Sequence, residues 1–285
     1  MTSTRVLSVG TDASRESAHA ADWAAREALR RGLPLRLVQA ADAEREVPRL
    51  PDVDMPGRGV LDLVALRLSY AHPALEIIAR RRSEQPVTAL LEAASESETL
   101  VLGSRGFTGY SGFLVGSVAL AVTARARRPV ILVRAGGLPE DEREGPGFRP
   151  VVVGLDVTAP ADELLSYAFE AAALRGAPLH VLHAWTLPPL HGHRPDGAQP
   201  GDAARQEEGL RRSLAEAVRT WRSKYPEVPV EELLLYGQPG HHLLKAATAA
   251  SLTVVGRRTY ASHLGATAHS VVHHVTSPVA IVPHS

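Results

Sequence analysis

Residues 99–106 read Thr-Leu-Val-Leu-Gly-Ser-Arg-Gly, and Gly116-Ser117 follow nine residues later. The first four residues have the pattern of a short buried strand, and residues 118–127 have the pattern of a helix. Glycines at such a junction let the backbone turn tightly and come close to a ligand, and the unpaired amides that open a helix attract anions. The spacing matches neither a Walker loop nor the Gly-x-Gly-x-x-Gly of dinucleotide folds. We therefore predict a phosphate site of another kind, with a tight strand–helix connection as the alternative.

Strand and helix patterns alternate on both sides of this segment. Strands are predicted at 6–10, 35–40, 75–79, 99–102 and 129–133, and helices at 17–31, 60–70, 87–95 and from 117 onward. Alternation of this kind predicts an open, mostly parallel sheet covered by helices on both faces.

The second half of the chain repeats the first. Asp156 follows an apolar run as Asp12 does, and the same offset of 144 residues relates Pro178 to Pro34. Residues 278–282 close the second copy as residues 129–133 close the first. The region between the copies is rich in glycine, proline and acidic residues, which is typical of a linker. We predict two tandem domains of one α/β type, at residues 1–138 and 150–285, joined by a linker at 139–149.

The glycine segment differs between the two copies. Thirteen residue steps separate Gly103 from Gly116, but only nine separate Gly256 from Gly265. The second copy has Arg257-Arg258-Thr259 in place of the middle glycine, and Ala266 in place of the serine. We therefore expect one competent phosphate site, in the first half, and a structural or regulatory second half.

Both halves resemble universal stress protein domains, and the whole chain is similar to the tandem form of that family. The family signature is Gly-x-x-Gly, nine residues, then Gly-Ser/Thr, which Gly103, Gly106, Gly116 and Ser117 match. The resemblance implies an open, doubly wound sheet of five parallel strands in each half, of the adenine-nucleotide α-hydrolase type. It also implies ATP binding at the carboxyl ends of the strands and dimer-like pairing through the last strand.

The resemblance also implies roles for individual residues. Asp12 and the end of the second strand, at Gln39-Ala40, would hold the ribose and adenine. The amides of Gly103 to Gly106 and of Gly116-Ser117 would hold the phosphates, with Mg²⁺ bound to these phosphates. The hydroxyls of Ser104 and Ser117 would add donors, while Arg105 would add charge or point to solvent. For Asp12 the alternative is a cap of the following helix. The candidate binding residues are thus Asp12, Ala40, Gly103, Ser104, Arg105, Gly106, Gly116 and Ser117.

The composition excludes several classes of protein. Thirty-one basic and thirty-one acidic residues leave no net charge, which removes the electrostatic argument for a nucleic-acid partner. The absence of cysteine excludes disulfides and thiol chemistry. No apolar run approaches the ~20 residues needed to cross a bilayer, and the first strand begins too early for a signal peptide. We expect a cytoplasmic protein without a membrane partner.

No residue pattern predicts a metal site or a catalytic centre. Eleven of the thirteen histidines follow residue 179, and His269 and His273 would share one helix face, but the spacing supplies no third ligand. No Gly-x-Ser-x-Gly elbow is present. The acidic residues at 140–144 have the composition of a solvated charge cluster. Slow hydrolysis of ATP by a bound water is the most activity that we predict.

Three functions remain open from the sequence. The first is an ATP-binding regulator of a stress response, with ATP in the first half. The second is an interaction module without nucleotide, which works through homodimerisation or an unidentified protein partner. The third is a binder of AMP or cyclic AMP, because a phosphate-binding loop does not by itself distinguish ligands by their number of phosphate groups.

Overall fold

The computed structural model describes residues 5–12, 14–40, 59–104, 115–136, 139–145, 147–159, 161–187, 202–261 and 263–285. The elements of the first half are β1 Leu7–Gly10, α1 Arg15–Arg31, β2 Leu35–Ala40, α2 Val60–Ala71, β3 Ile77–Arg82, α3 Pro86–Ser95, β4 Thr99–Ser104, α4 Ser117–Arg125 and β5 Val130–Arg134. A 3-10 helix, Pro139–Glu142, and a small hairpin of β6 Arg143–Glu144 and β7 Gly147–Phe148 connect the halves. The elements of the second half are β8 Val151–Gly154, α5 Asp162–Arg175, β9 Leu179–Trp185, α6 Asp202–Lys224, β10 Val230–Tyr236, α7 Pro239–Ala247, β11 Leu252–Arg258, α8 Ala266–His274 and β12 Val279–His284.

The two halves form one sheet of ten strands in the order β10-β9-β8-β11-β12-β5-β4-β1-β2-β3. Within each half the five strands run parallel, which confirms the predicted fold class. The halves join through β5 and β12, which pair antiparallel with Ile131 opposite Ala280. The expected contact between the two last strands is therefore present within one chain.

Helices cover both faces of this sheet. The face that carries Leu7 and Val151 packs against α1, α2, α5 and α6, while the other face packs against α3, α4, α7 and α8. Each of the two apolar clusters contains residues from both halves. The strands at the centre are buried on both sides, and all five residues of β5 are buried. This burial explains why the central strands read as continuous apolar runs.

The edge strand β3 departs most from its prediction. It spans Ile77–Arg82 instead of 75–79, and its last four residues are mostly exposed. Because one side of an edge strand faces solvent, its arginines interrupt the apolar run that marks central strands. The shift lies within the usual uncertainty of element boundaries.

The duplication extends to the ends of the helices. Gly32 ends α1 with φ 63°, and Gly176 ends α5 with φ 58°. Both lie in the left-handed region, which glycine enters without a steric penalty. Both cap amides donate to carbonyls of the last turn. A repeated sequence pattern thus produces the same helix end twice.

A buried ion cluster joins α1 to α5 across the two halves. The carboxylate of Glu27 is fully buried and accepts from Arg31 at 2.7 Å and from Arg175 of α5 at 2.8 Å. Arg30 also pairs with Glu27, and Arg31 reaches Glu170 at 3.1 Å. Burial alone would raise the pKa of Glu27, but Arg175, Arg31 and Arg30 lower it to about 2. The carboxylate is therefore ionised at neutral pH.

The acidic residues between the halves are only partly solvated. Glu142 is 5% exposed and accepts from Arg26 of α1 at 3.3 Å. The prediction of a solvated charge cluster is therefore wrong for Glu142, because the 3-10 helix turns its side chain toward α1.

Candidate functional site

The candidate site lies at the carboxyl ends of β1 and β4. These neighbours pair in parallel, with Val9 opposite Val101. The chain leaves β1 toward β2 and leaves β4 toward β5, so the strand order reverses between them. In open α/β sheets, ligands bind at this reversal point. The structure thus places the end of β1, which Asp12 follows, beside the end of β4, from which the chain continues to Gly116.

Asp12 lies at this edge and is exposed. Its Oδ1 accepts from the amide and hydroxyl of Ser14, at 3.1 and 2.5 Å. Ser14 is the cap of α1, since its hydroxyl accepts from the amide of Ser17 at 3.1 Å. The helix-cap role that we considered for Asp12 therefore belongs to Ser14. The Oδ2 of Asp12 has no hydrogen bond with any residue described by the structure, which leaves an acceptor at the site.

Gly103 and Ser104 have structural roles. A Cβ on Gly103 would lie 2.6 Å from the backbone C and O of Glu16, so this glycine lets α1 approach β4 closely. Ser104 is 1% exposed. Its hydroxyl donates to the carbonyl of Val133 at 3.3 Å and accepts from Arg134 at 3.1 Å. The backbone of α1 thus fills the space beside Gly103, and the hydroxyl of Ser104 is hydrogen-bonded within the protein.

Gly116 and Ser117 open α4. Gly116 is the N-cap and provides no side-chain cap, so the first amides of α4 have no partner from the cap residue. A Cβ on Gly116 would meet no atom of the described residues within 4 Å, and Ser117 is exposed. Ala40 ends β2, next to β1, and is 9% exposed. Arg105 and Gly106 lie outside the described residues.

The equivalent place in the second half contains a cavity of about 620 Å³. It lies where β8 and β11 end and where α8 begins. Its lining includes Asp156, His183, Arg257, Arg258, Tyr260, Gly265 and Ala266. The sequence indicated a shortened loop here, and nothing in its pattern indicated a cavity of this size.

Asp156 repeats the geometry of Asp12. Its Oδ1 accepts from the amide and hydroxyl of Thr158, at 3.0 and 2.6 Å, and Oδ2 lies 4.0 Å from Arg258. Partial burial opposes ionisation, but the bonds from Thr158, helped by His183 and Arg258, lower the pKa of Asp156. The carboxylate form is thus favoured at the cavity.

Two buried arginines each donate hydrogen bonds to the opposite half of the chain. Arg134 of β5 donates to the carbonyls of Val275, at 3.1 Å, and Val272 at the end of α8. Arg257 of β11 donates to the carbonyl of Ala126 at the end of α4. Each cation thus sits at the negative end of a helix of the other half, which is a stabilising arrangement. Sequence spacing could not predict these contacts, because they depend on the pairing of β5 with β12.

The histidines form no metal site in the part of the chain that the structure describes. His269 and His273 share a face of α8, as predicted, with ring centroids 4.4 Å apart. Among the described residues, no helix is long and apolar enough to cross a membrane.

Comparison with known proteins agrees with this architecture. The model of the universal stress protein family matches residues 4–134 and again residues 147–283. The chain belongs to the universal stress protein family. Universal stress protein Rv2005c of Mycobacterium tuberculosis is 30% identical over 300 residues, covering 97% of this chain and 96% of the relative.

Solved universal stress proteins share the fold. One from Archaeoglobus fulgidus has a TM-score of 0.69 at 19% identity, and the match covers 99% of both chains. Another from Archaeoglobus fulgidus was solved in complex with dAMP, and it covers 48% of this chain at 26% identity. Its TM-score is 0.34.

Proposed function

We propose that this universal stress protein binds ATP in its first half, with Mg²⁺ on the phosphates, and acts as a nucleotide-dependent regulator of a stress response. The observation that carries the proposal is the strand-order reversal, where β1, which Asp12 follows, and β4, from which the chain continues to α4, are neighbours in the sheet. Membership of the family supports the same ligand class.

The phosphates would bind at the start of α4. Its first amides have no side-chain cap, and no atom of a described residue lies within 4 Å of a Cβ placed on Gly116. Phosphate oxygens would accept from these amides and from the exposed hydroxyl of Ser117. Arg105 and Gly106 complete the proposed loop on the grounds of the family signature. Gly103 contributes by allowing close packing, and the hydroxyl of Ser104 stays with Arg134.

The nucleoside would bind at the ends of β1 and β2. The Oδ2 of Asp12, which has no hydrogen bond with a described residue, would accept from ribose hydroxyls. Ala40 ends β2, the next strand in the sheet, and its backbone would read the edge of the adenine. The two ends of the nucleotide would then lie on opposite sides of the reversal point.

Substitution of Gly116 by valine tests this site. We expect Gly116→Val to weaken ATP binding at least about tenfold in isothermal titration, because the side chain would fill the space of the phosphate. The fold should be retained, since the new Cβ meets no atom within 4 Å in the part of the chain that the structure describes. Gly265→Val is the matched control, because Gly265 is the N-cap of α8 with the same open surroundings.

Unchanged ATP affinity in Gly116→Val would contradict the assignment. If the parent protein releases no adenine-absorbing material on denaturation and shows no thermal shift with ATP, the interaction module becomes the better hypothesis.

A further inference from the structure

We propose that the contact between α1 and α5 holds a small monovalent anion, chloride, beside Ala171, where the repeat lacks a second copy of the Glu27 carboxylate. The site lies inside the molecule, between its two halves. It is independent of the nucleotide site proposed above.

The two helices present equivalent positions to each other. The offset of 144 residues relates Arg31 to Arg175 and Glu27 to Ala171, and each arginine is the last residue of its helix. In both helices the arginine lies four residues after the other position, so the two share one helix face. The arginine is therefore repeated, while the acid is present only in the first half.

The hydrogen bonds of Glu27 show which donors an acceptor beside Ala171 would meet. Glu27 accepts from Nε of Arg31 on its own helix, at 2.7 Å, and from Nη2 of Arg175 on the other helix, at 2.8 Å. By the repeat, the equivalent donors beside Ala171 are Nε of Arg175 and Nη2 of Arg31. Both of these atoms are buried and have no hydrogen-bond partner among the described residues. The repeat thus leaves two charged donors where one acceptor is absent.

Burial makes it costly to leave these donors unpaired. The side chain of Arg31 is 5% exposed and that of Arg175 is 0% exposed, and a buried donor without a partner lowers stability, more so when it is charged. Ala171 is also 0% exposed. An acceptor at this place must therefore be small.

The charges of the cluster call for one more negative charge. The cluster contains three guanidiniums and two carboxylates, which belong to Arg30, Arg31, Arg175, Glu27 and Glu170. Glu142 also acts on Arg30, but it is paired with Arg26. One positive charge is left, which a single monovalent anion would neutralise and a water molecule would not.

Two neutral donors lie on the same helix faces. Trp23 lies four residues before Glu27, and Tyr167 lies four residues before Ala171. The Nε1 of Trp23 and the hydroxyl of Tyr167 are buried, and neither has a hydrogen-bond partner among the described residues. The ring of Tyr167 lies 5.4 Å from the guanidinium carbon of Arg31. A hydroxyl so close to the arginines can donate to the same anion, and a spherical ion accepts from any direction.

Replacement of chloride by gluconate, which is too large for this place, tests the proposal at constant ionic strength. We expect the unfolding equilibrium constant, measured by urea denaturation at pH 7, to fall about tenfold for each tenfold rise in chloride above the dissociation constant. Ala171→Glu would supply a carboxylate in place of the anion, so its unfolding constant should change less than about twofold in the same series. Ala204→Glu is the matched control, because it adds the same side chain at an exposed position of α6 and should keep the chloride dependence.

Bromide would locate the site directly, whether or not Ala171→Glu folds. Crystals of the parent protein grown in sodium bromide should show an anomalous peak within hydrogen-bond distance of Nε of Arg175 and Nη2 of Arg31. A crystal without bromide at these atoms would overturn the proposal, since ordered water would then satisfy the donors. Stability of the parent that does not depend on chloride would overturn it too, as would an equal chloride dependence in Ala171→Glu.

Discussion

At the scale of single residues, the glycines of one signature have different physical roles. Gly103 is needed by the protein itself, because the backbone of Glu16 occupies the space of a side chain. A Cβ on Gly116 would meet no described residue within 4 Å, so packing among the described residues does not require a glycine there. The two cases can be separated by stability measurements.

Replacement of Gly103 by alanine should destabilise the protein. The new Cβ would lie 2.6 Å from the backbone of Glu16, and backbone atoms cannot rotate away, so we expect a loss of about 1–3 kcal/mol in the free energy of unfolding. Gly209→Ala is the control, since Gly209 lies within α6 with nothing near its Cβ. It should stabilise by about 0.5–1 kcal/mol. Urea denaturation measures both, and equal effects would contradict the packing role.

The sequence could not separate these glycines. Their order and spacing predicted a loop between a strand and a helix, which agrees with β4 and α4. Whether a glycine faces a neighbouring helix or open space depends on packing from a distant segment, here the start of α1. The same limit applies to Ser104, whose hydroxyl contacts Arg134 of the neighbouring strand β5.

At the scale of elements, the crossed arginines bind the ends of two helices. Arg134 reaches the end of α8 and Arg257 reaches the end of α4. Helix α4 begins at Gly116, the proposed phosphate position. Arg257 at the C-terminus of α4 and an anion at its N-terminus would both favour the helix dipole.

Replacement of Arg134 by methionine tests the value of these contacts. The carbonyls of Val272 and Val275 would lose a charged donor, so we expect a loss of about 1–3 kcal/mol in stability. Burial lowers the pKa of Arg134 to about 10, so the guanidinium is charged near neutral pH. Arg125→Met is the control, because Arg125 is exposed and bonds only within α4. Its effect should stay within about 0.5 kcal/mol in chemical denaturation, and a similar effect of both variants would argue against the crossed contact.

At the scale of the whole molecule, two copies of one domain form a single ten-stranded sheet. Much of this could be predicted from the sequence, since strand and helix periods and the repeat of 144 residues are local patterns. The ion pairs between α1 and α5 could not, because they depend on a residue that the repeat does not preserve. Glu27 is such a residue, since position 171, its counterpart, is alanine.

Stability should depend on pH through Glu27. Its pKa is about 2 in the folded chain against an ordinary value of 4.5. The ionised carboxylate therefore stabilises the fold above pH 4.5, by roughly 3 kcal/mol, and this contribution is lost as the pH falls from about 4.5 toward 2. We expect Glu27→Gln to be less stable than the parent at pH 7, with a difference that narrows below pH 4.5.

Urea midpoints between pH 3 and pH 7 would measure this difference. Glu170→Gln serves as the control, because the side chain of Glu170 is 40% exposed and its ion pair among the described residues is with Arg31. A stability difference for Glu27→Gln that stays constant across this range would contradict the role of the buried carboxylate.

The cluster around Glu27 has a consequence for how such a chain can evolve. In a dimer of identical subunits every substitution occurs twice, so an acid near the twofold axis would face its own copy. Here Arg31 and Arg175 occupy equivalent positions, yet one carboxylate serves both. Covalent duplication has released the two halves from the requirement of identity. A contact at the centre can then depend on a carboxylate from one half only. The glycine loop can likewise shorten in one half while it keeps its length in the other.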